Sequence, residues 1–446
     1  MLEGLKSWLV QSSRRTPTSM EARSSGAEWQ NWSGYVRGRS RAFAQPADED
    51  ELRALVAQAP RVRAVGAGHS FTPLVPTEHL LLSLDRLTGL LGHDPQRYTA
   101  TVWGGTRLYE LGPMLQEVGQ ALPNMGDIDR QSIAGAVSTG THGSGLGLGS
   151  LAAGVAGLRL VLADGGVLEC SPAQNPEVFR AAGVSLGTLG VISQVTLQNV
   201  PSYRLEERVR VVGLSTLLPQ LPSLAQENRH LDCHVFPFSG QTIVKTLNPA
   251  QEPAGKTEVN SFVENTVLRW ACEVARALPV LNAPLQRLVG VLVGSSRRVG
   301  ESYRIFATPR EVRFNEMEYH VPAERGPECL EEVCHAIRRS GVQVFIPVEY
   351  RYVAGDGFWL SPFQGGARAS IAVHQYHKQD PWPLFRVVEP VLRRYGGRPH
   401  WGKMHGLKAG ELRELYPHWD DFRRVRLELD PRGKFLNAHL REVLGA

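Results

Sequence analysis

Residues 62–71 read VRAVGAGHSF, a short apolar run that leads directly into two closely spaced glycines. The run predicts a strand at residues 61–65, and the glycines after it predict a loop whose consecutive backbone N–H groups can cradle a phosphate. Phe71 stands where the G-x-G-x-x-G dinucleotide fingerprint has its third glycine, so the loop is not of that type. For a glycine pair taken alone, a plain turn is the alternative.

A second glycine-rich stretch, SIAGAVSTGTHGSG, occupies residues 132–145. Residues 133–149 hold too many glycines to form a helix or strand throughout, and such small residues let a flat ligand lie against the main chain. A flexible linker is the alternative. The interleaved Ile133, Val137 and Leu146 argue against it because a linker has no need of regularly placed apolar side chains.

Two further stretches carry charged groups near the C-terminus. In PVEYRY, Glu349 and Arg351 lie on one face of a predicted strand, where they can hold each other's charge beside a polar substrate. An ordinary surface ion pair is the alternative. Residues 400–405, HWGKMH, are dense in groups that donate hydrogen bonds to an anion, and a solvated loop is the alternative there. His374 and Tyr376 are interpreted as packed core residues.

The elements around these motifs follow from hydrophobic periodicity, caps and turn residues. Up to residue 201 short strands alternate with helices, whereas from 203 to 397 helices and strands come in runs, which predicts an α+β fold. The predicted helices lie at 48–59, 108–118, 217–228, 259–277, 327–339, 409–415 and 437–444. The predicted strands lie at 61–65, 80–84, 98–103, 158–162, 167–170, 190–197, 342–350 and 370–376.

Composition excludes several classes of protein. The 446 residues are 42% hydrophobic and 21% charged, which fits neither a disordered chain nor a fibre. The net charge is +5, yet no run of five basic residues occurs, so nucleic-acid binding is not expected. No stretch reaches the roughly 18 apolar residues of a spanning helix, which leaves only peripheral membrane association open. Residues 1–30 are interpreted as a poorly ordered leader.

The five cysteines are widely spread and include no C-x-x-C pair. We expect free, buried thiols in a reducing compartment, and therefore a cytoplasmic location. A zinc site does not fit this spacing, and no metal is predicted.

Together the four motifs resemble one family. R-x-x-G-x-G-H-S from Arg63, the glycine-rich stretch after Ala134, V-E-x-R from Val348 and HWGK from His400 occur in this order in the sugar-lactone and sugar-alcohol oxidases of the vanillyl-alcohol-oxidase superfamily. The resemblance covers everything from about Asn31 to the C-terminus. It implies an α+β protein of two domains, an FAD-binding domain of the vanillyl-alcohol-oxidase/p-cresol-methylhydroxylase type and an α+β cap domain that binds the substrate.

The same resemblance divides the chain. It implies an FAD-binding domain at 31–201, a substrate or cap domain at 202–398, and a segment at 399–446 that returns to the first domain and completes the active site. His69 would be bonded covalently to the 8α-methyl group of the flavin, a link that favours hydride transfer from an alcohol carbon. The residues expected to bind FAD are Arg63, Gly66, Ala67, Gly68, His69, Ser70, Gly126, Asp127, Ser132, Gly135, Gly140, His142, Gly143, Ser144, Gly145, Ile192 and His400.

The resemblance also implies which residues act on the substrate. Arg351 and Lys403 would stabilise a developing alkoxide, and Glu349 would orient the substrate or accept its proton. Ser132 would lie near the flavin and bind a substrate hydroxyl. Gly126 matches a position where a glycine is compatible with access of O2, although relatives also use other acceptors.

The branch of the family is predicted from finer features. Residues 122–132, 371–376 and 430–437 resemble the aldonolactone oxidases, so the hypothesis is oxidation of the C2 hydroxyl of a gulono-, galactono- or arabinono-1,4-lactone. The product would be a 2-keto lactone, with O2 or another redox acceptor taking the electrons. The nearest alternative is an alditol oxidase acting on xylitol or sorbitol. A non-catalytic flavin-binding protein is a more remote one, disfavoured because Glu349, Arg351 and Lys403 occur together.

Overall fold

The computed structural model describes residues 26–255, 261–308 and 310–446. Most of the predicted leader lies outside the described residues. Its predicted end at residue 30 is too late, because Ala27–Gln30 form a strand, β1, that pairs with β2 (Arg37–Ser40).

Residues up to 201 form two main sheets. The smaller sheet is parallel, in the order β3 (Ala42–Ala44), β5 (Leu80–Ser83), β4 (Val62–Val65). The larger is antiparallel, in the order β10 (Val167–Cys170), β9 (Val155–Val161), β11 (Val191–Gln198), β7 (Thr99–Trp103), β6 (Leu90–Asp94). A short pair, β8 (Gln120–Ala121) with β12 (Val200–Pro201), lies beside them.

Residues 204–399 form one antiparallel eight-stranded sheet. Its order is β16 (Ser296–Glu301), β13 (Arg204–Gly213), β15 (Gln241–Ala250), β14 (His230–Val235), β18 (Val348–Val353), β19 (Arg368–Tyr376), β17 (Phe314–Pro322), β20 (Arg398–Pro399). Because side chains alternate along a strand, Glu349 and Arg351 face one side of this sheet and Tyr350 and Tyr352 the other.

Helices cover both parts of the molecule. Those of the first part are α1 (Glu49–Gln58), α2 (Leu108–Glu117), α3 (Ile133–Thr139) and α4 (Pro176–Ala182). Those of the second are α5 (Leu214–Leu217), α6 (Leu221–Glu227), α7 (Ser261–Ala277), α8 (Asn282–Val293), α9 (Ser302–Phe306), α10 (Gly326–Ser340) and α11 (Trp382–Arg394). The last three are α12 (Ala409–Leu415), α13 (Trp419–Leu429) and α14 (Ala438–Leu444).

Two predicted elements need correction. The strand predicted at 342–350 begins only at Val348, because Pro347 has no N–H for a ladder and Gln286 Nε2 binds the carbonyls of Val344 and Phe345 instead. The helix predicted at 217–228 is broken by a 3₁₀ turn at Leu218–Gln220, where Pro219 interrupts the bonding. The predicted helix at 259–277 matches α7 from Ser261, and residues 259–260 lie outside the described part.

The last residues of the chain pack back onto the first sheets. The amide of Val62 donates to the carbonyl of Lys434, and Asn437 Nδ2 donates to the carbonyls of residues 73, 74 and 76. Phe435 lies in the core between α1 and the parallel sheet. The structure therefore joins residues 434–437 to the first sheets, whereas the domain boundaries at 201 and 398 stay a prediction.

In the described residues, every helix is too short or too polar to cross a bilayer. The five cysteines are buried and unpaired, as expected.

Candidate active site

A narrow cleft follows the loop after β4. It measures about 110 Å³ and is lined by Gly66, Ala67, Gly68, His69, Ser70, Ser132, Gly135 and Ile192, all predicted to bind FAD. A Cβ on Gly66 would lie 2.4 Å from Ser132 Oγ, and Gly68 has a φ of +67°. Glycine at 66 leaves room for the Ser132 hydroxyl, and glycine at 68 adopts a left-handed backbone without strain, so the loop can run close along the cleft.

The cleft opens into a cavity of about 830 Å³. His69, Ser70, Gln131 and Thr139 line both spaces, so the two are continuous. An elongated dinucleotide with its phosphates in the cleft and its ring system in the cavity fits this shape, as FAD would.

His69 is held from outside the loop by β1 and the residues after it. Its ring stacks on Trp32 at 5.4 Å, the amide of Trp32 donates to the carbonyl of Gly68, and Asn31 Nδ2 donates to the carbonyl of Ser70. Burial, assisted by nearby cations including Lys403, lowers the pKa of His69 to about 4. The imidazole is therefore neutral at physiological pH, the form in which a ring nitrogen has a lone pair to bond with.

Arg63, predicted to bind FAD, lines the cleft and also makes contacts that the sequence did not indicate. Its buried guanidinium donates to four main-chain carbonyls, those of residues 74, 186, 187 and 435. It borders the cleft, but its hydrogen bonds hold the surrounding chain segments together rather than reaching into the ligand space.

Four other residues predicted to bind FAD also have packing roles. Gly140 caps α3 with a φ of +72°, and a Cβ on Gly143 would meet the Met125 carbonyl at 2.3 Å. The carbonyl of Ser144 contacts His230 Nδ1 at 2.7 Å, and the amide of Gly145 donates to the Tyr352 carbonyl. None of the four lines the cleft or the cavity as described. The contacts of Ser144 and Gly145 bring the glycine-rich stretch onto the eight-stranded sheet.

The cavity contains Glu349, Arg351 and Lys403, as predicted. Arg351 Nη2 donates to Glu349 Oε1 at 2.6 Å, and Lys403 Nζ is paired with Glu316. Gly126, His142 and His400 line the same cavity. Ser132 does not join them: it lies in the narrow cleft, where its Oγ accepts the amide of Gly135 as the cap of α3. The structure thus gives no support for a contact between Ser132 and the substrate.

Asp127, predicted to bind FAD, lines the large cavity, and its carboxylate lies beside two arginines. It is paired with Arg310 and lies 3.5 Å from Arg351 Nη2. Asp232 Oδ2 lies 3.2 Å from the same Nη2. One nitrogen of Arg351 therefore faces three carboxylates, whereas its Nε and Nη1 have no hydrogen-bond partner among the described residues. These two groups are available to a substrate oxygen.

The electrostatics of this cluster differ from one carboxylate to the next. Burial, with the negative charges of Asp232 and Asp127, raises the pKa of Glu349 to about 7 despite the opposing effect of Arg351. Burial would also raise the pKa of Asp127, but Arg310 and Arg351 outweigh it and hold that pKa well below its usual range. Glu349 is thus the member of the cluster that can exchange a proton near neutral pH.

A second charged group surrounds Lys403. Burial alone would lower the pKa of Lys403, but its ion pairs with Glu316 and Glu318 outweigh burial and raise it, so the ammonium stays charged. Glu318 Oε1 also contacts His142 Nε2 at 2.9 Å. His400 Nδ1 accepts the amide of Gly402, which fixes the loop that carries Lys403.

Several residues of the site were missed by the sequence analysis. Glu316, Glu318, Asp232, Arg310, Lys245 and His374 all lie in or against the cavity. Two of them left a local signal, since Glu316 and Glu318 are two residues apart and alternate with Met317 and Tyr319 in the stretch that forms β17. His374, interpreted as a core residue, contacts Glu316 at 3.4 Å and lines the cavity.

Comparison with known proteins agrees with this geometry. A family model described as D-arabinono-1,4-lactone oxidase matches residues 195–443, and one described as an FAD binding domain matches residues 40–171. The L-gulono-1,4-lactone dehydrogenase of Mycobacterium tuberculosis is 40% identical over 94% of this chain and 99% of its own. The alditol oxidase of a Streptomyces species is 33% identical over 93% and 98%.

Among solved structures, a solvent-stable cholesterol oxidase superposes with a TM-score of 0.80. Its sequence is 16% identical, and the match covers 97% of this chain and 100% of the other. This likeness concerns the fold alone.

Proposed function

Since this chain belongs to the D-arabinono-1,4-lactone oxidase family, we propose that it oxidises the C2 hydroxyl of a sugar 1,4-lactone. It is an FAD-dependent oxidoreductase of sugar-derived substrates, with the predicted α+β, two-domain FAD-binding fold. The observation that carries the proposal is the group formed by Glu349, Arg351 and Lys403, buried in a cavity continuous with the glycine cleft.

The cleft residues from Gly66 to Ser70, together with Ser132, Gly135 and Ile192, would hold the FAD. When bound, FAD supplies a two-electron acceptor for the hydride of the alcohol carbon. The cavity walls bring the substrate to that acceptor and remove water from around it, which strengthens every charge interaction inside.

The charged residues have separate tasks. The free Nε and Nη1 of Arg351 and the ammonium of Lys403 would stabilise negative charge on the substrate oxygen as the hydroxyl proton leaves. The ionised Oε of Glu349 would accept that proton, since its pKa of about 7 lies nearest to working pH.

This role for Glu349 predicts a pH dependence. Below pH 7 Glu349 is protonated and cannot accept a proton, so kcat/KM for the substrate should rise with pH through about 7. Asp127→Asn removes a neighbouring negative charge, which should lower the pKa of Glu349. The rise of kcat/KM with pH should then occur at lower pH. Initial rates of flavin reduction between pH 5 and 9 measure both effects.

Asp129→Asn is the matched control for Asp127→Asn. It changes a carboxylate of the same loop that pairs with Arg130 and does not line the cavity. The rise of kcat/KM with pH should stay at the native pH in Asp129→Asn and should be absent in Glu349→Gln. If kcat/KM of Glu349→Gln still rises with pH through about 7, the pH dependence belongs to another group.

We also infer that FAD is bonded covalently to His69. The neutral imidazole, its fixed stack on Trp32 and its place where the cleft meets the cavity support this link. Acid precipitation should give a yellow pellet from the native protein, whereas His69→Ala should leave all its flavin in the supernatant. His79→Ala, a histidine outside the cleft and cavity, is the control and should keep the yellow pellet. Flavin free in the native supernatant would exclude the link.

The choice between substrates is tested by anaerobic bleaching of the bound flavin. Gulono-, galactono- and arabinono-1,4-lactones are expected to bleach it, with xylitol and sorbitol slower by at least an order of magnitude. The alditol alternative is favoured if the order is reversed, and the lactone proposal fails if none of the lactones bleaches the flavin.

The compartment is proposed to be the cytoplasm. Five buried thiols without a disulfide fit a reducing compartment.

A further inference from the structure

The large cavity extends across nearly the whole eight-stranded sheet. Its lining includes residues of seven adjacent strands, from β17 at one end to β16 at the other. Because neighbouring strands lie about 4.8 Å apart, the cavity is roughly 30 Å long. A six-carbon lactone beside Glu349 and Arg351 on β18 would occupy only one part of it.

The two halves of the cavity differ in chemistry. The half over β17, β19 and β18 contains Lys403, Glu316, His374, Glu349 and Arg351. The distal half, over β15, β13 and β16, also contains Glu207, Arg297 and Arg298, but these charges are already paired, Glu207 with Arg298 and Arg297 with Glu206 and Glu252. Its other walls are the apolar side chains of Val209, Ile243, Leu268, Val289 and Leu292. These side chains offer no partner to the hydroxyl groups of a sugar, and burying such groups without hydrogen bonds is costly. The distal half therefore suits an apolar molecule rather than the substrate.

A charged group, Lys245, lies where the two halves meet. Lys245 lies on β15 two residues from Ile243, and its Nζ is 3.8 Å from carboxylate oxygens of both Glu207 and Asp232. Within the described part of the chain, this ammonium makes no hydrogen bond. It can therefore donate to an oxygen atom of a ligand that lies against the apolar walls.

We propose that the distal half binds a quinone, which serves as the electron acceptor of the enzyme. A quinone has a flat apolar ring for the walls and a carbonyl oxygen for Lys245. The electrons balance: the substrate loses its C–H and O–H hydrogens as a ketone forms, giving two electrons and two protons. The quinone takes up two electrons and two protons and forms two O–H bonds as the quinol. This inference rests on the proposed function for its source of electrons.

The entrance to the distal half is suited to an apolar side chain on the quinone. Leu292 and Val267 line the cavity and are 64% and 42% exposed, so they extend the apolar wall to the surface. Further exposed apolar residues continue on the same pair of helices and the turn between them, namely Trp270, Leu278, Val280 and Leu288. A patch of this kind on one hairpin is uncommon on a soluble protein without an apolar ligand or partner.

The test compares two leucines of α8. Leu292 lines the cavity, whereas Leu288, one turn earlier and 51% exposed, does not. Menadione is titrated into the oxidised, flavin-loaded protein without sugar, and quenching of tryptophan fluorescence gives its Kd. Leu292→Asn should raise this Kd about tenfold, the effect of losing one leucine contact with an apolar ligand, and Leu288→Asn should leave it unchanged. Lys245→Met should raise it as well.

Turnover provides the second readout. The KM for menadione should rise in Leu292→Asn, while the rate of anaerobic flavin reduction by lactone and turnover with ferricyanide, a polar acceptor, stay unchanged. Equal menadione affinity in the two leucine variants would overturn the proposal. So would a slower reduction by sugar in Leu292→Asn, because the distal half would then belong to the substrate. The menadione Kd is measured without sugar. It can therefore still be interpreted if the lactone assignment proves wrong.

Discussion

Replacing Arg351 by methionine is expected to reduce turnover by at least about 10³-fold and to lower the free energy of unfolding by about 3 to 5 kcal/mol. Arg351 Nη2 faces the carboxylates of Glu349, Asp232 and Asp127, all in a buried cluster. Without the guanidinium these charges have lost their shared partner, and the substrate oxygen has lost two donors. Urea unfolding and steady-state rates measure the two effects.

Two further variants separate chemistry from folding. Arg351→Lys keeps one positive charge and should fold, but a lysine cannot present several donors in a plane, so we expect a rate loss of about 10²-fold. Arg204→Met removes an arginine that is 41% exposed in its pair with Glu301, and its stability should change by less than about 1 kcal/mol. Folded Arg351→Met that retains a tenth of the native rate would contradict the assigned role.

Replacing Arg63 by methionine is expected to lower the free energy of unfolding by about 4 kcal/mol or more and to abolish FAD retention. Hydrogen bonds to a charged group contribute about 1.5 to 3 kcal/mol each, and Arg63 makes four of them to carbonyls from three separate segments. Burial lowers the pKa of Arg63 to about 10, so the group is still charged at neutral pH. Thermal unfolding and the flavin content after gel filtration are the measurements.

Arg61→Met is the control for Arg63→Met, since Arg61 begins the same strand region but is exposed. It should retain FAD and unfold at the native temperature. Added FAD should partly restore the melting temperature of Arg63→Met, because a ligand that binds only the folded state stabilises it. If Arg63→Met retains its flavin through gel filtration, the carbonyl contacts do not hold the cleft together.

The sequence predicted the parts of the site that local patterns encode. The strand and glycine loop at 61–70, the shared face of Glu349 and Arg351, and the helix predicted at 48–59 all follow from neighbours within a few residues. The roles of Arg63 and Asp127 were not accessible in this way. Arg63 reaches a carbonyl 372 residues away, and Asp127 meets Arg310, 183 residues away. Only the folded chain brings such groups together.

The glycines also show that the role of a residue can depend on parts of the chain that are distant in sequence. Gly66 and Gly143 occur in similar glycine-rich patterns, yet the first lines the ligand cleft beside Ser132, whereas the second lies away from it and leaves room for the carbonyl of Met125. A missing side chain looks the same in sequence whether a ligand or the protein's own backbone occupies the space. The strand start at Val348 was likewise missed by six residues because Gln286, far away in sequence, binds the loop before it.

The return of the chain terminus to the first sheets has a consequence for biosynthesis. Lys434, Phe435 and Asn437 hold β4, Arg63 and residues 73–76, which form one wall of the cofactor cleft. Because a ribosome delivers the N-terminal part first, that wall lacks its partners until residues 434–437 have been synthesised and released from the ribosome. Flavin capture should therefore follow the synthesis of residues 434–437, and a nascent chain stalled before residue 434 should not retain the cofactor.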